Sequence, residues 1–281
     1  MKTWKKIVLG VSLISLFLGG GLVAWGYSQG GLTDLQNKTI SEQDYVKKEV
    51  KDFNKIDIKS SSYNVLIKNG DVDKATLSYY QKTKNPIDTS VKDGQLTIND
   101  SNSELDSTSN KLINFFGLKD LVRLSTLNEE VRNKTIVITL PKKQTIDFLK
   151  VDLATGNLDL SNSTIKQADI NLNVGDLTFT KMIVSNLKAN LDVGSVDSDH
   201  TLFTNSDLSI AMGDYSGDNL IFNGHNKLDV TSGDIEIALK DYTLNVQADS
   251  HSGEVDITNN LKISKDNTLT ITSDLGDITV E

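Results

Sequence analysis

The C-terminal half of the sequence predicts an all-β fold, a parallel β-solenoid (β-helix-like) with coils of about 19–20 residues. Between Thr155 and Glu281 a phrase of glycine, a small polar or acidic residue and an apolar residue recurs seven times. Its glycines step by 19, 19, 19, 20, 20 and 23 residues and are Gly156, Gly175, Gly194, Gly213, Gly233, Gly253 and Gly276. A near-constant period of this size is typical of a solenoid, in which each coil buries its apolar face on its neighbours.

The spacing of apolar residues indicates a strand on each side of every glycine. Leu208 and Ile210 lie five and three residues before Gly213, whereas Ile235 and Ile237 lie two and four residues after Gly233. Each side alternates with period two, but the inward set changes parity across the glycine. An unbroken strand cannot do this, because a one-residue slip turns every side chain over. We therefore expect a corner or bulge there, at a residue that tolerates positive φ.

Charge and cysteine content restrict the classes of function. Residues 151–281 carry seven basic and 21 acidic residues, a net charge of −14, whereas the first 150 residues carry 22 basic and 17 acidic ones. An acidic solenoid argues against nucleic-acid binding, which needs Lys and Arg to meet phosphates, and favours cations or basic partners. The absence of cysteine excludes disulfides, thiolate metal sites and a lipidated N-terminal cysteine.

The N-terminus predicts a membrane anchor. Residues 1–6 contain three lysines, and the apolar run over 7–27 is long enough to span a bilayer as a helix. Trp25 and Tyr27 lie where interfacial aromatic residues belong, which favours an uncleaved helix over the alternative, a cleaved signal peptide. The lysines predict a cytoplasmic tail at 1–6, a single span with the N-terminus inside, and an extracellular remainder.

Residues 28–52 predict a polar stalk or linker, partly helical around 42–50. Residues 53–150 show strand patterns in a less regular form, which predicts N-terminal strands or opening coils. Asp93-Gly94 predicts a hairpin turn, and Pro141 predicts the end of a strand because it removes a ladder donor. We expect 151–281 to form the solenoid repeats.

An insertion of different character interrupts these strands. Its apolar residues between 111 and 124 recur at helical spacing, with a break at Gly117. We expect a helical insertion that covers a solenoid face or edge. A helix that binds a partner or touches the membrane is the alternative.

Stacked coils would align the residues that follow each glycine into columns with a spacing of about 4.8 Å. The position directly after the glycine contributes the acidic residues Asp176, Asp214, Asp234, Glu254 and Asp277, together with Asn157 and Ser195. Two positions further, the outward residues include Asp159, Asp197, Glu236 and Asp256. This candidate acidic surface could collect cations or hold a cationic peptide, or its residues could be solvated turn residues. The Gly-Gly-x-Gly-x-Asp calcium repeat is absent, so we predict no metal site.

The sequence contains no recognisable catalytic motif. His200, His225 and His251 form no H-E-x-x-H pair, and there is no G-x-G-x-x-G, P-loop or nucleophile elbow. We therefore predict no enzymatic activity, no catalytic residues and no cofactor.

Several phrases together resemble a known family. They are the lysine-flanked apolar anchor with its Gly-Gly-Gly exit, Phe53-Asn54-Lys55-Ile56-Asp57-Ile58, Ile136-Val137-Ile138-Thr139-Leu140-Pro141, and the repeated Gly-Asp-Leu/Ile coils. The chain from Phe53 onward resembles the bacterial putative-adhesin β-strand-repeat family, a domain of unknown function in membrane-anchored envelope proteins of Gram-positive bacteria. The resemblance implies a cell-surface location and a link to envelope stress, and it supplies no catalytic residues.

The leading hypothesis is a non-enzymatic, membrane-anchored extracellular β-solenoid that acts as an adhesin-like binding module at the bacterial cell envelope. Its expected partners are an unidentified envelope protein, a glycan or a cationic peptide. One alternative is a self-associating surface scaffold and homo-oligomer, because the last strand pattern ends at Val280 and leaves little sequence to cover that edge. The other alternative is an envelope-active enzyme, which would need a deep polar pocket.

Overall fold

A computed structural model describes residues 43–82, 86–100 and 134–281, and the described residues from Tyr45 onward form one compact unit. In this part of the chain, no helix is long and apolar enough to cross a membrane. The predicted cytoplasmic tail (1–6), membrane helix (7–27) and helical insertion (111–124) lie outside the described residues, as does most of the predicted stalk.

The described part of the chain contains 25 β-strands. Those before the regular repeats are β1 (Gln43–Glu49), β2 (Lys55–Ser60), β3 (Asn64–Gly70), β4 (Thr76–Lys82), β5 (Asp88–Lys92), β6 (Gln95–Asn99), β7 (Thr135–Pro141), β8 (Thr145–Ile146) and β9 (Phe148–Leu153).

The strands of the repeats are shorter, and most pair in parallel with their equivalents in the neighbouring coils. They are β10 (Leu158–Ser161), β11 (Thr164–Ile165), β12 (Ala168–Val174), β13 (Leu177–Thr180), β14 (Ile183–Ser185), β15 (Leu187–Val193), β16 (Val196–Asp199), β17 (Leu202–Thr204), β18 (Asp207–Met212), β19 (Tyr215–Asn223), β20 (His225–Ser232), β21 (Ile235–Leu239), β22 (Asn245–Ser252), β23 (Val255–Ile257), β24 (Thr268–Leu275) and β25 (Ile278–Val280).

These strands form the three faces of a prism, which confirms the predicted parallel β-solenoid. Face A runs β1-β4-β7-β3-β10-β13-β16-β19-β21-β25-β23, and face B runs β5-β6-β2-β9-β12-β15-β18-β20-β24-β22. Face C runs β8-β11-β14-β17-β19, so that the long strand β19 belongs to two faces. The register advances by the repeat length, for example Leu158 beside Leu177 and Leu177 beside Val196.

The inward side chains form one continuous apolar core. On face B, Ile170 and Leu172 are buried before Gly175, and on face A, Leu177 and Phe179 are buried after it. This is the predicted change of parity. The stacked interior is filled by aliphatic ladders and by aromatic contacts such as Phe179 with Phe203, whose ring centroids lie 5.3 Å apart. Burial of each large aliphatic side chain contributes about 1.5–3 kcal/mol.

Each coil turns from face B to face A at its glycine. Gly194 has a φ of 144°, and a Cβ at this position would lie 1.9 Å from the carbonyl oxygen of Gly175 in the preceding coil. The other repeat glycines would bring a Cβ to 2.0–2.4 Å from the carbonyl oxygen of the coil before them in the stack. Glycine is therefore required by the close approach of the coils at all seven positions, and by the positive φ at every one of them except Gly253.

The N-terminal end of the prism is closed by antiparallel strands. β4 pairs antiparallel with β7, and β5 with β6. Asp93 and Gly94, both at positive φ, connect β5 to β6 as the predicted hairpin turn, and β7 ends at Pro141. The expectation of partial helix around 42–50 is wrong: Gln43–Glu49 is the strand β1, which pairs with β4. As a strand at the edge of the sheet, the segment forms backbone hydrogen bonds with β4. These bonds outweigh its weak helical pattern.

The last two coils do not stack in the order of the sequence. β24 lies between β20 and β22, and β25 lies between β21 and β23. The expectation that the strand ending at Val280 forms the open edge is therefore wrong, because β22 and β23 form it. The inner position is buried on both sides, and it is taken by the coil with Leu269 and Ile271 inside rather than by the one with Val246 and Ala248.

Candidate functional site

The residue after each corner glycine except Gly253 accepts a hydrogen bond from the backbone of the next coil. The backbone amide of Ser195 donates to Oδ1 of Asp176 at 3.0 Å, and that of Asp234 donates to Oδ1 of Asp214 at 2.9 Å. The same bond links Asp277 to Asp234 and Glu254 to Asp277 at 2.9 and 2.8 Å. We call Asn157, Asp176, Ser195, Asp214, Asp234, Asp277 and Glu254, in this spatial order, the corner ladder.

The corner ladder explains why short polar residues follow the glycines. Their side-chain oxygens satisfy backbone amides that the turn of the chain leaves without a partner, as Asx turns do. Asn64 starts the ladder by accepting from the amide of Asn157 at 2.9 Å, a role that the sequence analysis missed because Asn64 lies outside the seven repeats. The four aspartates of the ladder are thus structural acceptors, and their second carboxylate oxygen contributes charge.

A second acidic column runs along the outer side of face A. Register places Asp159 beside Thr178, Thr178 beside Asp197, and Asp197 beside Ser216. It continues through Glu236, Thr279 and Asp256. Acidic and hydroxyl side chains therefore alternate along the whole column. In sequence order Asp256 would follow Glu236 directly, but the inserted last coil puts Thr279 between these two carboxylates, which lowers their repulsion.

Face A carries no basic residue on its seven strands from β10 to β23. β10, β13, β16, β21, β25, β23 and the first half of β19 contain no Lys or Arg. Asp199 and Asp218, which the sequence analysis did not single out, lie side by side in a further outward column. We call the outward carboxylates of this face, Asp159, Asp197, Asp199, Asp218, Glu236 and Asp256, the acidic face.

Face B provides the contrast. Its outward column reads Lys150, Asp169, Lys188, Asp207 and Lys227 in adjacent coils, so that opposite charges alternate. The neighbouring column contains an amide ladder, in which Asn190 donates to Asn171 and Asn171 donates to Asp152, both at 2.9 Å. Face B therefore neutralises most of its own charge, whereas face A does not.

Asp159 lies on β10, the first strand of the acidic face, and is partly buried. Loss of solvation raises the pKa of its carboxyl above the ordinary value, and the nearby Asp176 raises it further. A hydrogen bond with Thr178 opposes this shift. Burial therefore makes the negative charge of Asp159 costly in the folded protein.

An exposed apolar ridge borders the acidic face. It consists of the residues directly before the corner glycines, and Val174, Val193 and Met212 are neighbours in three successive coils. After Ser232 it continues with Leu275, and the exposed fractions of Val193, Met212 and Leu275 are 43%, 59% and 56%. The sequence contains this signal, because an apolar residue directly precedes four of the seven glycines, but the sequence analysis considered only inward positions.

The corner between faces A and C brings together the one group of potential metal ligands found in the described residues. Asp199, His200 and Asp218 place ligand atoms within 4.8 Å of one another, and Nδ1 of His200 lies 2.6 Å from Oδ1 of Asp199. Asp218 comes from the next coil, which is why sequence spacing did not reveal the group. A shallow cavity of about 170 Å³ lies beside it, lined by Lys181, Ile183 and Lys240 among others.

The chain is similar to several solved structures at low sequence identity. No curated protein matches the sequence. A crystal structure of a "putative cell adhesion protein" from Clostridium sporogenes shares 16% identity with a TM-score of 0.31, and 85% of this chain and 99% of that chain are covered. A "putative adhesin" from Bacteroides fragilis shares 15% with a TM-score of 0.38, with 86% and 98% covered. A "putative lipid binding protein" from Parabacteroides distasonis shares 11% with a TM-score of 0.35, with 85% and 97% covered.

The sequence model of one family matches most of the chain. The match covers residues 53–281, the same stretch over which the resemblance to the putative-adhesin family was drawn, and it confirms that resemblance. The match begins at Phe53, just before β2, and extends through the inserted last coil to Glu281. The chain belongs to the Toastrack DUF4097 family.

Proposed function

We propose that this protein is a non-catalytic binding module, anchored in the bacterial cell membrane by residues 7–27, that holds a cationic amphipathic helix on the outer surface of the cell. One observation carries the proposal: the strands that carry the acidic face contain no Lys or Arg, and the exposed apolar ridge lies across the corner ladder from them. A link to envelope stress follows if the helix belongs to a peptide that damages the envelope.

The spacing of the coils fits such a helix. Neighbouring coils are about 4.8 Å apart, and one turn of an α-helix advances about 5.4 Å along its axis. A helix that lies along the prism can therefore place one apolar side chain on the ridge and one basic side chain on the acidic face in nearly every coil. Val193 and Met212 supply apolar contacts, and Asp197 and Glu236 supply charge on the neighbouring face.

The expected energetics separate the two contributions. Exposed ion pairs contribute little individually and weaken with salt, but a row of carboxylates attracts a multivalent cation cooperatively. Burial of Val193 and Met212 adds about 25 cal/mol for each Å² of apolar surface covered. We expect binding that is strong at low salt and persists at a reduced level at high salt.

Titration of residues 34–281 with a cationic amphipathic peptide, at low and at high salt, tests the proposal. Calorimetry should show saturable binding at low salt that weakens at high salt. An anionic amphipathic peptide of equal length is the control and should not bind. Absence of binding of the cationic peptide at low salt would rule the proposed function out.

A further inference from the structure

The two ends of the prism differ in how their cores are covered. At the N-terminal end the antiparallel strands β4 and β5 cover the first coil, and Leu77 and Ile87 are buried there. At the other end β22 and β23 each have a hydrogen-bonded neighbour on one side in the described part of the chain. The core is closed at the first end and open at the second.

The inward residues of the open end are incompletely buried. Val255 occupies the inward position that Leu177, Val196 and Ile235 occupy in other coils, and it is 41% exposed whereas they are at most 1% exposed. Val246, Ala248 and Ile257 pack against the core from one side and are half-buried. A coil-shaped apolar surface is therefore left in contact with solvent.

The edge strands carry few of the devices that protect open sheets. β22 and β23 contain no Lys, Arg or Pro, and their inward positions carry no charge. Exposed edges of this kind pair with further strands unless charge, proline or a bulge prevents it. Gln247, Asp249 and Asp256 point outward, away from the core surface.

We propose that a second copy of this chain covers the open end, so that two prisms join end to end about a two-fold axis. An extended peptide could pair with only one of the two edge strands. The open coil of a second copy can pair with the edges of faces A and B at once. Its inward residues have the same spacing as those of the first copy and cover the core between the two faces. Because the N-terminal end is closed, the contact is isologous and stops at a dimer rather than continuing into a filament.

The absence of cysteine from the sequence allows a direct test. Ser252→Cys introduces a single exposed thiol at the open end, and Val193→Cys introduces one at the equivalent position four coils away. The full-length chain, purified in detergent, is treated with a short bismaleimide and analysed on a denaturing gel. We expect a covalent dimer for Ser252→Cys and a monomer for Val193→Cys. No dimer with Ser252→Cys, or equal yields for the two variants, would overturn the proposal.

A second measurement addresses the interface without crosslinking. Sedimentation of the full-length chain should give a dimer, and Ala248→Lys, which places a charge on the open core surface, should give a folded monomer with an unchanged circular dichroism spectrum. Higher salt should strengthen the dimer, because both partners are acidic, whereas it weakens the binding proposed for the acidic face. A wild-type monomer at all concentrations would contradict the proposal and would leave the proposed function intact.

Discussion

The backbone amide of Asp277 donates a 2.9 Å hydrogen bond to Oδ1 of Asp234, although 43 residues separate them in the sequence. This bond places the last coil directly on the coil of Gly233, so that the coil of Gly253 becomes the outermost one. The same stacking is visible where the carbonyl oxygen of Gly233 meets Gly276 and that of Gly276 meets Gly253. The chain therefore passes over one coil position and later fills it.

The inserted last coil predicts unequal costs for equivalent truncations in β24 and β22. Leu269→Ala should lower the free energy of unfolding by about 2–5 kcal/mol, because this side chain, which lies beside Val246, is buried between two coils. Val246→Ala in the outermost coil should cost about 1 kcal/mol or less, since its side chain is half-buried. Urea denaturation measures both, and equal costs would contradict the stacking order.

The corner ladder predicts that Asp234 stabilises the fold as a hydrogen-bond acceptor and not through its charge. Asp234→Ala removes the partner of the Asp277 amide and should cost about 1–2 kcal/mol. Asp234→Asn retains an Oδ1 acceptor and removes repulsion along the ladder, so its stability should equal or exceed that of the wild type. Thermal unfolding compares the two variants, and a similar loss in both would show that the charge itself is needed.

The close packing at the corner glycines predicts a large loss of folding stability when one of them is replaced by alanine. Gly194→Ala would bring Cβ to 1.9 Å from the carbonyl oxygen of Gly175 and would impose a φ of 144° on a residue with a side chain. We expect a loss of more than about 3 kcal/mol, of which backbone strain alone accounts for about 1–3 kcal/mol. Asp192→Ala, an exposed change in the same coil, is the control and should change stability by less than about 0.5 kcal/mol.

Asp159 predicts a pH-dependent contribution to stability. Burial raises the pKa of its carboxyl in the folded state, so the protonated form favours folding. This contribution is complete below the ordinary pKa of 3.8 and is lost as the pH rises through the higher folded-state value. Asp159→Asn should therefore be more stable than the wild type at neutral pH, and the difference should shrink in acid. Denaturation across this range measures it, and a constant difference would be the contrary result.

Much of the fold could be predicted because it follows from local repetition. The 19–20-residue period fixed the coil length, and the parity change at Gly213 or Gly233 located the corners. The order of the last two coils could not be predicted in the same way, because the 20-residue step from Gly233 to Gly253 satisfies the period equally well. The inner position favours the last coil because Leu269 and Ile271 are large enough to fill the core and because Thr279 separates two carboxylates. These are differences between individual coils and not features of the repeat.

The candidate site was predicted in part. The acidic columns followed from stacking, and the structure brings Asp159, Asp197, Glu236 and Asp256 onto one face as expected. The hydrogen bonds of the corner ladder did not follow, since they depend on where a side-chain oxygen lies relative to the amide of the next coil. The difference in charge between faces A and B depends on which lysines lie on the same face. It could be recognised only once the strand register was known.

The most direct test of the account compares two triple variants that remove the same number of charges from different faces. Asp197→Asn, Glu236→Gln and Asp256→Asn neutralise part of the acidic face and leave the corner ladder intact, whereas Asp169→Asn, Asp207→Asn and Asp249→Asn change face B. Calorimetric titration with the cationic amphipathic peptide at low salt should show affinity reduced by at least about tenfold, or 1.4 kcal/mol, for the face A variant. The face B variant should bind like the wild type. Equal affinities for both variants would contradict the assignment of binding to the acidic face.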